Sequence, residues 1–408
     1  MRLRIKDICD YVSRGTTPDY VDEAVNKVMN QATFSKGWID ESNIRYTSKT
    51  NKGARIMKGD LLMASTGGGV LGKVFFFDDD NSFYADSHVT IMRNSKGANL
   101  MKYLYYYFYL RYDEINATMV KGSTNQTELQ RNYLLSYELD VPTLADQQRM
   151  VTYLDTKLSE IDHQVSLLTS KRDAYLRLKK SIINHAVTHG LNPNVKMKDS
   201  GIEWIGEVPE HWEMCRFKDA FRRWTTGITP DSKNYKYFES DICKGYTWVT
   251  ISDFLEKYIS QSNLNLSDES IKLFMPPLSL KGSLMFSFKL SVGKIAFADK
   301  DLYTNEAIVS IPPNNGQCLE YYYYMLPNVL HENATENIYG AKMLNQKIIA
   351  NMLMVVPPLP EQRAIATYLD DKCSKIETIV SNLDKQISRY GDLKRSLIDE
   401  VITGKRAV

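Results

Sequence analysis

LADQQRMVTYLD at residues 144–155 and LPEQRAIATYLD at residues 359–370 align without a gap, so that Tyr153-Leu154-Asp155 falls opposite Tyr368-Leu369-Asp370. A Val-Pro step precedes each copy (Val141-Pro142 and Val356-Pro357). Proline disfavours helix in the residue before it, so each step ends one segment and sets up a helix start. Apolar residues then recur at alternating spacings of four and three. The first run is Leu154, Leu158, Ile161, Val165 and Leu168, continuing after a slip through Tyr175, Leu178, Ile182 and Ala186. The second is Leu369, Cys373, Ile376, Val380, Leu383, Ile387 and Tyr390, then Leu397 and Val401. This spacing is a heptad seam on a helix of ~40 residues, roughly 60 Å long. A helix with one long apolar stripe needs a partner, and the duplicate is the obvious one.

The duplication extends upstream. RIKDICDYVSRGTTPD from Arg4 resembles RFKDAFRRWTTGITPD from Arg216; KGDLLM from Lys58 resembles KGSLMF from Lys281; GKVFF from Gly72 resembles GKIAF from Gly293; KYLYYYF from Lys102 pairs with EYYYYML from Glu320. Constant order with drifting offset fits repeated modules with variable loops. DLLMAS, KVFFF, HVTIM, SLMFSF and AIVSI read as strands, and the tyrosine-rich segments 103–112 and 321–326 as helices whose aromatics mostly pack. The expected organisation is a first module at 1–142, a long helix at 143–190, a linker at 191–203, a second module at 204–356 and a second long helix at 357–408.

Composition narrows the class. At 408 residues, 43% hydrophobic and 25% charged, the chain is an ordinary globular protein with room for two domains. No signal-like or membrane-spanning apolar run is present, and five scattered cysteines suit a reducing cytoplasm. Net charge is only +2, with a pI near 8.0. A DNA-binding domain acting alone is usually more basic, so a DNA-binding role requires basic residues gathered on one face or a partner that shares the phosphate contacts.

Motifs for covalent chemistry are missing. GGGVLGKV at 67–74 imitates a dinucleotide or Walker A loop, but Val74 follows the lysine and a strand follows in place of a helix. His185 and His189 form an i, i+4 pair without a third ligand. There is no Gly-x-Ser-x-Gly elbow and no Asn/Asp-Pro-Pro-aromatic segment. The sequence therefore assigns no catalytic, cofactor or metal residue to this chain.

Loops carrying small, polar and basic residues are the candidate contact points for base edges and phosphates. Arg14, Gly15, Thr16 and Thr17 recur as Thr226-Gly227-Ile228-Thr229, with Thr225 ahead of them. Ser65, Thr66 and Gly67 are placed opposite Ser287, Phe288 and Lys289, and Lys73 opposite Lys294. Lys121, Gly122, Ser123 and Thr124 are placed opposite Tyr339-Gly340-Ala341-Lys342; His88 and Asn305 complete the set. Ordinary turn chemistry explains the same residue types equally well.

VPPLPEQRAIATYLDDK at 356–372, its twin VPTLADQQRMVTYLDTK at 141–157, WIGEVPEHWEM at 204–214 and GAKMLNQKIIANMLMVVPPL at 340–359 together resemble the specificity (S) subunit of type I restriction–modification systems. The resemblance covers essentially the whole chain. It implies an α+β fold: two mixed α/β target-recognition domains alternating with two long helices packed as an antiparallel coiled coil, in a pseudo-twofold arrangement. It further implies a non-catalytic cytoplasmic subunit that reads a bipartite, interrupted site on double-stranded DNA. Partners would be two modification subunits carrying S-adenosylmethionine for adenine methylation and two restriction subunits using ATP and Mg. Gln147, Tyr153, Leu154, Gln362, Tyr368 and Leu369 would dock partners. The chain departs from the pattern where Thr143 and Ala145 stand opposite Pro358 and Pro360, and where the first module lacks the WIGEVPEHWE segment. A coiled-coil scaffold that never touches DNA is the rival reading.

Overall fold

A computed structural model describes residues 1–49, 52–95, 97–122, 127–239, 241, 243–289, 291–314, 316–336 and 342–408. The chain forms two compact units: residues 1–170 with 383–408, and residues 171–382. The two long helices, Leu144–His189 and Leu359–Ile402, each run without a break from one unit into the other. Their 46 and 44 residues correspond to about 65–70 Å each.

Within each unit the two helices lie antiparallel. In the first, Lys394 pairs with Asp162 at 2.5 Å and Arg406 donates to the Tyr153 hydroxyl at 3.2 Å. In the second, Lys179 pairs with Glu377 at 2.6 Å. Leu154, Leu158, Ile161, Leu397, Ile398 and Val401 are buried in the first unit, and Ala186, Ile365, Leu369 and Cys373 in the second. The apolar stripe departs from the expected path at one point. Leu178 is 47% exposed, while Lys179 is half-buried and ion-paired, so after Tyr175 the seam advances by four residues and not three. The helix starts also differ. Thr143 Oγ1 accepts from the Asp146 amide, whereas the second helix starts at Leu359-Pro360, where a missing N–H costs nothing.

The module in front of each long helix repeats the same strand order. In the first unit an antiparallel sheet runs Tyr11–Arg14, Val89–Arg93, Leu61–Ala64, Val74–Phe76. In the second, Thr225–Thr226, Ile308–Ile311, Leu284–Ser287 and Ile295–Ala298 follow the same order, with Tyr258–Ile259 added at the edge. A second sheet also recurs: a parallel pair, Asn26–Met29 with Phe83–Ala85, matches Tyr246–Val249 with Tyr303–Thr304. The tyrosine runs lie on helices Ala98–Leu110 and Leu319–Asn333, where Tyr103, Tyr106, Tyr107, Tyr321, Tyr322 and Tyr324 are buried. The segment expected to be a linker contributes Met197–Asp199 to a ribbon with Glu207–Pro209. Trp212 beyond it is fully buried and donates to Glu361 at 2.9 Å, fixing the module to the start of the C-terminal helix. None of the described helices is long and apolar enough to cross a membrane.

Two measurements follow from this packing. Leu154→Ala and Leu369→Ala should each cost about 2–5 kcal/mol in urea denaturation, whereas Leu178→Ala should stay within about 0.5 kcal/mol. Burial pushes the Cys9 thiol up to about 12, while Cys243 is exposed. A thiol reagent at pH 8 should therefore label Cys243 and spare Cys9 in the native protein, as mass spectrometry of the labelled peptides would report.

Candidate nucleic-acid interface

Backbone hydrogen bonds align the two modules residue by residue. Asp86 N donates to Met29 O and Asn305 N to Val249 O, both at 3.0 Å. Ala64 N donates to Lys73 O and Ser287 N to Lys294 O; Ser65 N donates to His88 O and Phe288 N to Ala307 O. Gly15 and Gly227 occupy one position, and each lies so close to a carbonyl that a Cβ would sit 2.2 Å from Asp86 O or 1.8 Å from Thr304 O. Only glycine fits there. This alignment corrects one expected pairing: Ala64, and not Ser65, falls opposite Ser287, so Thr66 stands opposite Lys289 and His88 opposite Ala307.

Several candidate contacts are structural. Ser65 and Ser287 are buried; Ser65 Oγ lies 2.6 Å from Thr90 Oγ1, and Ser287 Oγ accepts from Lys294 N and donates to Ser291 O. Neither can meet a base. Lys73 and Lys294 donate, each at 3.2 Å, to the carbonyls of Ser35 and Ile251, clasping equivalent turns. Asn305 Oδ1 accepts from Ala307 N just as Asp86 Oδ1 accepts from His88 N. Arg14 is tied to the Ser87 carbonyl and to Glu128. Thr226 accepts from Gln346 Nε2 at 3.0 Å.

The remaining candidates stay at the surface. Thr17, Thr225 and Thr229 are exposed, Lys121 and Lys342 are exposed on two-residue hairpin strands, and Lys289 lies over the Phe288 ring. Thr16 donates its amide to Ala85 O. Gly67 adopts φ +90°, turning the loop so that the Gln31 amide sits where its Cβ would be. Ser123 and Thr124 lie outside the described residues, as do Tyr339, Gly340 and Ala341.

Three residues of the first module converge. Thr66 Oγ1 lies 3.2 Å from Gln31 Oε1 and 2.6 Å from His88 Nδ1. Gln31 and His88 line a concave cavity of about 410 Å³ with Tyr20, Arg45 and Asp86. Asp86 is a buried member of that lining; burial, the largest influence, holds its carboxyl above the usual range while Tyr20 and the His88 amide donate to it. Sequence reading missed Gln31, which lies 35 residues from Thr66; no local motif marks it.

Most of the expected docking residues face inward. Gln147 and Gln362 are buried and each donates to the proline carbonyl behind it (Pro142 and Pro357) at 2.8 Å. Gln362 also accepts from the Cys318 amide, whereas Gln147 Oε1 has no partner. Leu154 and Leu369 are fully buried against their own modules. Their side chains hold this chain together and are not open to a partner. Tyr153 and Tyr368 are half-buried and line surface clefts of about 430 and 730 Å³. The third residue of the repeat, Asp155 or Asp370, was not singled out in the sequence, yet it carries the same pair of bonds twice: Tyr106 and Lys102 to Asp155, Tyr324 and Lys257 to Asp370, at 2.5–2.7 Å.

No group of three or more His, Cys, Asp or Glu able to hold a metal occurs among the described residues. The family described as type I restriction modification DNA specificity domain matches residues 1–167 and 209–389. A specificity subunit of the type I restriction enzyme MjaIX of Methanocaldococcus jannaschii is 27% identical over 45% of this chain and 41% of its own length. The putative MjaX specificity subunit of the same organism is 20% identical over 98% of this chain and 92% of its own. Among solved structures, a chain from work on complex assembly and conformational transition of the type I R-M system superposes with a TM-score of 0.71 at 14% identity, covering 98% of this chain and 97% of that one. The HsdS subunit from Thermoanaerobacter tengcongensis superposes at 0.50 with 15% identity, covering 100% and 97%. With the family matching both modules and both helix starts, the chain belongs to the type I restriction–modification DNA specificity subunits.

Proposed function

We propose that this chain reads two separate half-sites on double-stranded DNA and carries no chemistry itself. The supporting observation is a duplicated scaffold with unlike surfaces. Strand order, the close-approach glycines and the clasping lysines repeat, while the residues at matched positions around them differ: half-buried Thr66 against half-buried Lys289, and exposed His88 against buried Ala307. A scaffold kept constant beneath variable side chains suits two readers of different sequences, as symmetric dimers suit palindromes.

The modest net charge fits a subunit that shares phosphate contacts with others. In this reading two modification subunits bring S-adenosylmethionine and methylate adenine, and two restriction subunits bring ATP and Mg for cleavage, all in the cytoplasm. The half-buried Tyr153 and Tyr368, at equivalent places on the two long helices, are the docking residues left accessible.

Methylome sequencing of a methylation-free bacterial host, expressing this chain with its modification subunit, should find adenine methylation at one interrupted motif. Neither protein alone should produce it. Replacing residues 1–142 with those of a relative should change one half of the motif and leave the other unaltered; a change in both halves contradicts the modular reading. Seven-residue insertions made at matched points of both long helices should change the spacer between half-sites and keep their bases.

A further inference from the structure

The convergence of Gln31, Thr66 and His88 has a definite hydrogen-bonding consequence. A threonine hydroxyl has one proton. Where Thr66 Oγ1 donates it to Gln31 Oε1, the relay is completed by the His88 tautomer whose Nδ1–H donates to Oγ1. That tautomer leaves Nε2 as an acceptor. The relay orders two side chains that line one cavity and sets their roles: Gln31 Nε2 is a donor and His88 Nε2 an acceptor. Asp86 holds the backbone beneath His88 by accepting its amide at 2.8 Å.

The second module lacks this arrangement. The shared hydrogen bonds put Ile251, Lys289 and Ala307 at the three positions, so an aliphatic chain, an ammonium and a methyl replace amide, hydroxyl and imidazole. The underlying frame is retained: Asn30 and Thr250 cap the same turn, and Asp86 and Asn305 hold the same loop. A relay kept for folding would have a counterpart; this one, with His88 exposed, is confined to the side chains that distinguish one module from the other.

Resting on the proposed function, we infer that Gln31, Thr66 and His88 are the specificity-determining cluster of the first module, reading the major-groove edge of adenine. That edge offers an acceptor, N7, beside a donor, the N6 amine, which complements a donor beside an acceptor. Guanine presents two acceptors there and leaves His88 Nε2 opposed by a carbonyl. Thr66 is a positioning residue: it touches no base and orders the two that do.

The test is methylome sequencing of the complete complex with Gln31→Ala, Gln31→Glu, Thr66→Val and His88→Ala, with thermal midpoints measured alongside. Gln31→Glu keeps the side chain's shape and replaces the donor. One A·T position, in one half of the motif, should lose discrimination by about 5- to 150-fold for the Gln31 and His88 variants. Thr66→Val should relax the same position, and Lys289→Ala should affect only the other half. The inference is overturned if folded Gln31→Glu and His88→Ala retain the parental motif unaltered, or if the relaxed position is a G·C pair. Failure of the parental complex to methylate any bipartite motif would instead strike the proposed function.

Discussion

A helix of 44 or 46 residues with an apolar stripe cannot stand alone in water, and everything else in this chain follows from covering two of them. Each is covered partly by the other, antiparallel, and partly by the module that precedes it. Because both helices pass unbroken through both units, each unit is assembled from the early part of one helix and the late part of the other. The second long helix is thus required to complete the core of the first unit, where Leu397, Ile398 and Val401 lie among residues from the N-terminal module.

The attachment of module to helix is polar as well as apolar. Asp155 and Asp370 each receive a tyrosine hydroxyl and a lysine ammonium, a geometry that fixes the tyrosine helix at one point on the long helix. The lysines differ in origin: Lys102 comes from the tyrosine helix itself, whereas Lys257 comes from a loop before Tyr258–Ile259 and lies over the rings of Tyr258, Tyr323 and Tyr324. Two routes to the same charge placement indicate that the aspartate's partners matter more than the chain segment that supplies them. With the carboxylates partly exposed, such pairs contribute mainly by fixing geometry.

Periodicity made the long helices legible because heptad spacing is a local signal, and the repeated Tyr-Leu-Asp gave the duplication. The same signal failed at Leu178, where a change of one residue in step moves an apolar side chain into solvent and brings Lys179 to Glu377. The loops were less legible. A slip of one residue in aligning Ser65 with Ser287 set half-buried Thr66 opposite buried Phe288, when its counterpart is Lys289. Gln31 escaped notice, and Asp155 was read only as part of the repeat, because their roles depend on residues distant in sequence, Thr66 for one and Tyr106 for the other. Glutamines 147 and 362 were conspicuous by repetition, but their repetition reflects an internal tie to the preceding proline carbonyl.

In the proposed function, two modules built on one frame read two unlike half-sites. The most direct measurement is the affinity of the complex with its modification subunits for duplexes carrying both half-sites, either one alone, or neither, each across a range of salt. Scrambling either half should weaken binding by a similar share of the specific free energy while leaving the slope against log salt nearly constant, since base contacts are lost and phosphate contacts kept. Affinity that depends on only one half, or that ignores sequence altogether, would contradict it.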